Sequence, residues 1–177
     1  MKQTLPLFFI CLILLGCRKD PEDINVLEQT PPRTLAEQMP GEWTLEAVSY
    51  VSEFTIEIEG LPLPINNSGT DKNARGSMSI DATNMDYNAR YTVMLAIPFL
   101  PLPSFPVPDN IQFAGNYNIS GGNIGVQNSG GSRTLEVISH GPYHLTFQTT
   151  SILNLGLPLP GVSDIPVDVI LHYVKDF

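Results

Sequence analysis

Few side chains in this sequence carry reactive chemistry, and their spacing does not assemble it. The histidines are His140, His144 and His172. On a helix, His140 and His144 would share a face as metal ligands do, but His140-Gly141-Pro142 reads as a turn and the residues after it as a strand. His144 and His172 can approach on the outer face of neighbouring strands, with no third ligand beside them. Exposed polar positions are the expectation, and no metal site is expected. The chain has no Gly-x-Ser-x-Gly and no P-loop. Asp71, Asp81 and Asp86 follow no calcium-loop spacing. Glu53, Glu57 and Glu59 fall on the outward side of a strand, where charges are solvated. Both cysteines, Cys11 and Cys17, lie near the N-terminus, so the rest of the chain has neither a thiol nucleophile nor a disulfide. The sequence reads as non-enzymatic, with no cofactor.

Cys17 is the exception, because its setting gives its sulfur a role. Residues 1–17 read MKQTLPLFFICLILLGC. Lys2 is a positive start and Leu5 to Leu15 an apolar stretch too short for a comfortable bilayer span. Leu14-Leu15-Gly16-Cys17 resembles a bacterial lipobox. That resemblance implies cleavage before Cys17 and lipid on its sulfur, several acyl chains being enough for stable anchoring in a bilayer. Arg18-Lys19-Asp20-Pro21-Glu22-Asp23 is similar to the export tag of surface-displayed Gram-negative lipoproteins. The expected address is the outer membrane, exposed on the cell surface, with a periplasm-facing position as the alternative. Residues 1–16 are then signal peptide, 17–33 the lipidated Cys with a flexible tether, and 34–177 the folded domain.

The elements that fill this domain follow from composition and periodicity. The 177 residues include 14 Gly and 16 Pro, hydrophobic residues make up 42% and charged ones 15%, and the net charge is -9. That many turn formers exclude a helical bundle, and the acid excess excludes a nucleic-acid binder. Thr34-Leu35-Ala36-Glu37 fits a capping box for a short helix ending before Pro40-Gly41. From Trp43 onward, apolar residues alternate in strand after strand. The first runs from Trp43 to about Glu59, where Trp43, Leu45 and Ala47 have the opposite parity to Phe54, Ile56 and Ile58. A bulge near 48–52 is needed to keep both sets on one face. Later strands bury Met78 and Ile80; Tyr91, Val93, Leu95 and Ile97; Ile111, Phe113, Tyr117 and Ile119; Ile124 and Val126; Leu135 and Val137; Tyr143, Leu145 and Phe147; and Val167, Val169, Leu171 and Tyr173. Short Gly- and Asn-rich turns make sequence neighbours antiparallel. All-β is therefore the fold class, an eight-stranded antiparallel up-and-down barrel after a short N-terminal helix, since closure removes exposed edges. A two-sheet β-sandwich is the alternative.

Pro40-Gly41-Glu42-Trp43-Thr44-Leu45 resembles the Gly-x-Trp opening of lipocalin-like domains, after a short helix and at the start of a long bent strand. Gly115-Asn116-Tyr117, the stretch Ile138 to Phe147 and Tyr173-Val174-Lys175 are similar to small lipocalin-like domains of bacterial lipoproteins. The resemblance covers roughly 40–177. It implies an eight-stranded barrel, closed or half open, with Trp43 packed at the closed end.

One tetrapeptide occurs three times: Leu61-Pro62-Leu63-Pro64, Leu100-Pro101-Leu102-Pro103 and Leu157-Pro158-Leu159-Pro160. The second continues as Ser104-Phe105-Pro106-Val107-Pro108. Such segments favour extended backbone and are unfit for a central strand, so they read as long connections. In an up-and-down barrel all three fall at the same end. Leu61, Leu63, Leu100, Leu102, Phe105, Leu157 and Leu159 would then form an apolar rim, as ligand mouth or partner surface. Two functions follow. The domain binds a small apolar ligand at this rim, or a filled barrel docks a protein or glycan partner through it. The bilayer, reached through acylated Cys17, is the other expected partner.

Overall fold

The computed structural model describes residues 33–97, 104–159 and 162–177, with the backbone alone over 155–159 and 162–163. A short helix, α1 (Leu35–Gln38), is followed by nine strands: β1 (Gly41–Ile58), β2 (Leu61–Asp71), β3 (Ser77–Ile80), β4 (Asn84–Leu95), β5 (Phe105–Ser120), β6 (Asn123–Asn128), β7 (Gly131–His140), β8 (His144–Leu159) and β9 (Val162–Lys175). They form one antiparallel sheet, which closes into a ring where β1 pairs with β9. There is one sheet and not the two of a sandwich.

The expected strand number is corrected from eight to nine, and the register shows why. β2 and β3 follow one another along the same edge of β1: Asp71 pairs with Val48, and Ser77 with Thr44. They are one strand position interrupted at 72–76. β3 also pairs with β4, whereas β2 has no strand ladder to β4. The expected long connection carrying the first Leu-Pro repeat is therefore strand. Its turn is Glu59-Gly60, both with positive φ (53° and 80°), as a tight type I′ hairpin requires. Pro62 and Pro64 are tolerated because β2 is an edge strand along this stretch, pairing only with β1.

Phe105 is corrected in the same sense. It opens β5 and pairs with Leu95, and Pro106 and Pro108 lie within that strand opposite Met94 and Thr92. The amides of Thr92 and Met94 donate to side chains on the β1–β2 side. Pro108 and Pro106 thus occupy non-hydrogen-bonded positions toward β4, and their missing N–H groups point to the other edge of β5. Among the described residues that edge carries no strand ladder here, since β6 pairs with Asn116 to Ser120 alone.

The bulge in β1 also lies earlier than expected. Its register with β9 shifts between Leu45 and Ala47, and the buried parity changes there, from Trp43 and Leu45 to Val48, Tyr50 and Ser52. β4 begins at Asn84, well ahead of Tyr91, the first of its expected buried residues, and buries Met85, Tyr87 and Ala89 as well. Tyr143 precedes β8 and is exposed, against the expectation of an inward side chain.

The interior is occupied mainly by large apolar side chains. Trp43, Tyr87, Phe147, Tyr173, Met78, Met85, Leu135 and Leu145 are each no more than 1% exposed. Tyr87 meets Phe147 edge-on at 5.9 Å, and Phe147 stacks on Tyr173 at 5.5 Å. Helix α1 begins with Glu37 accepting the Thr34 N–H at 2.8 Å, and it packs Leu35 and Met39 on this core. Lys175 Nζ ties its end by donating to Gln38 O and Pro40 O.

Candidate functional site

Antiparallel alternation places the β1–β2, β4–β5, β6–β7 and β8–β9 connections at the end of the sheet opposite α1. Of the Leu-Pro repeats, Leu61-Pro62-Leu63-Pro64 opens β2 directly after the first of these turns. Leu100 and Leu102 fall in the β4–β5 connection, outside the described residues. Leu157 and Leu159 belong to the last residues of β8, where only the backbone is described. Cys17 also lies outside the described residues.

Two of the expected rim residues are brought together. Leu63 and Phe105 both pack on a second apolar cluster, built of Ile56, Ile65 and Ile97 with Phe54. This cluster joins the β1–β2 hairpin to the start of β5. Beyond it the surface stays apolar: Ile58 is 41% and Leu61 71% exposed. They line a hollow of about 660 Å³ with Glu59, Pro62 and Leu63.

A larger cleft, of about 910 Å³, lies along the seam between β2 and β4. Here the ring is closed by side chains. Asp71 Oδ2 accepts the Thr92 N–H at 2.8 Å, the Tyr50 hydroxyl accepts that of Met94 at 2.9 Å, and Asn67 Oδ1 accepts that of Ala96 at 2.7 Å. These amides alternate along β4, so three side chains replace a strand ladder. Tyr50 reaches across Gly69, where a Cβ would come within 2.4 Å of its hydroxyl. At the interruption, Arg75 and Arg90 exchange both backbone hydrogen bonds (2.9 and 2.7 Å), and both line the cleft. Sequence reading missed this site. Arg75 and Arg90 carry no motif, and only the break between β2 and β3 sets them opposite one another.

A polar knot sits inside the ring. The Tyr91 hydroxyl and Ser151 Oγ both donate to Asp109 Oδ2, the latter at 2.7 Å, joining β4, β5 and β8. Burial raises the Tyr91 phenol far above its ordinary value, and the hydrogen bond to Asp109 adds to the rise. Burial also pushes Tyr87 up to about 12, opposed by the positive charge of Arg133. Arg133 itself lies over Phe113 at 5.7 Å.

The histidines do not converge on a ligand set. His140 bonds Gln38 at 2.6 Å, and His172 sits between Ser49 and Thr146 at 3.3 and 3.4 Å. Among the described residues no group of three or more His, Cys, Asp or Glu is placed to hold a metal. No protein-family model matches the chain, and no curated protein matches it in sequence.

Proposed function

We propose that the chain is a membrane-anchored lipoprotein of the outer membrane, exposed at the cell surface, whose lipocalin-like barrel recognises a small apolar ligand at its Leu-Pro rim. One observation carries the reading. The interior is filled by large side chains, while apolar surface continues outward past the Ile56–Ile65–Ile97 cluster to exposed Ile58 and Leu61. A ligand is thus received at the rim, in the hollow beside Leu61, and not in a central cavity. Exposed apolar side chains at a hairpin tip cost solvation and call for an occupant. The proline content of these segments stiffens them, which lowers the entropy lost on binding.

A second reading has the same rim dock a protein or glycan partner, and the 71% exposure of Leu61 favours it. Native mass spectrometry of the membrane-extracted protein separates the two. A co-purifying small apolar molecule, lost in a Leu61→Ser, Leu63→Ser variant that keeps its fold, supports the first. Retention of that molecule by the variant contradicts it.

A further inference from the structure

We propose that the cleft between β2 and β4 binds an acidic saccharide, with Arg75 and Arg90 holding its anionic group. This goes beyond the apolar rim and involves a different part of the sheet. The two arginines form a directly opposed, hydrogen-bonded antiparallel pair, so their side chains leave the same face. Like charges directly opposite one another are destabilising. Among the described residues neither arginine has an ion-pair partner. The carboxylates sharing the cleft are engaged elsewhere. Asp71 accepts the Asn73 and Thr92 amides, both at 2.8 Å, and Asp109 accepts the Tyr91 and Ser151 hydroxyls.

In a chain with 18 acidic and 9 basic residues, Arg75 and Arg90 bring two positive charges to one cleft, on the same face of the sheet, with Asp71 and Asp109 as its carboxylates. Two arginines on one face, both lining the cleft, offer guanidinium donors suited to a carboxylate or a sulfate. The remaining lining suits sugar rings. Asn73, Thr92 and Asn110 offer amides and a hydroxyl for sugar hydroxyls, and Met94 offers an apolar surface for a ring face. The volume of about 910 Å³ exceeds that of a lone anion and falls within the range of small-molecule sites.

The test is calorimetric titration of the detergent-solubilised full chain. The probes are a galacturonate tetrasaccharide, a chondroitin sulfate tetrasaccharide, neutral maltotetraose and inorganic sulfate. At least one acidic tetrasaccharide should bind, with an affinity that falls as salt rises. Arg75→Gln and Arg90→Gln should each weaken binding at least tenfold while leaving the circular dichroism spectrum unchanged, and maltotetraose should not bind. The proposal is overturned if neither acidic tetrasaccharide binds, if the Gln variants bind as wild type does, or if inorganic sulfate binds as tightly as the tetrasaccharides.

Discussion

Trp43 joins segments far apart in the chain. Its Nε1 donates to Met39 O at 2.9 Å, and Lys175 Nζ lies 5.1 Å from its ring, so one side chain holds the end of α1 and the last strand. Truncation to Ala should cost about 3–5 kcal/mol in urea denaturation, the range for a fully buried aromatic. A loss under about 1 kcal/mol would place it outside the core. The interior tyrosines give a second expectation. Tyr87, Tyr91 and Tyr173 all ionise above the ordinary phenol value of 10.0, chiefly through burial. Their folded values exceed their unfolded ones. Their contribution to stability is therefore complete below about pH 10 and is lost as pH rises through the folded values. An ultraviolet titration should show these three of the six tyrosines forming tyrosinate only together with alkaline unfolding. Tyrosinate from all six while the protein is still folded would contradict the buried assignment.

The broken strand position is where the architecture departs most from a uniform ring. Gly76 lies so close to β4 that a Cβ there would be 2.1 Å from Asn88 O. Gly76→Ala should cost about 1–3 kcal/mol, as overpacking does, because backbone and not a flexible side chain must move. Asn67→Ala removes the acceptor of the Ala96 amide and should speed hydrogen exchange there, with a stability loss of about 1–3 kcal/mol. Most of the strands were legible from alternation, and His140-Gly141-Pro142 marked the turn between β7 and β8 correctly. β2 was not legible, for two physical reasons. Its turn, Glu59-Gly60, puts a non-glycine residue at positive φ, and its prolines mimic a loop unless the edge they sit on is known. The β2–β4 cleft left no trace in the sequence. It depends on a register between residues 75 and 90 that no local pattern encodes, whereas the proposed rim rests on a repeated tetrapeptide, of which the structure describes the side chains of the first copy alone, Leu61 and Leu63.

At the scale of the whole molecule, we propose a lipid anchor joined to a domain that recognises at its rim. Cys17→Ser should abolish lipid attachment, leaving the signal uncleaved or the protein released from membranes in fractionation. Normal processing and membrane retention of that variant would contradict the anchor. In the proposed domain function, an apolar ligand is received at the rim. Nuclear magnetic resonance titration of the detergent-solubilised protein with laurate measures this directly. The shifts should concentrate at Ile58, Leu61, Leu63, Ile97 and Phe105, with Tyr87, Phe147 and Tyr173 unmoved. Shifts centred on those three interior aromatics, or no saturable shift anywhere along the rim, would contradict recognition at the Leu-Pro end.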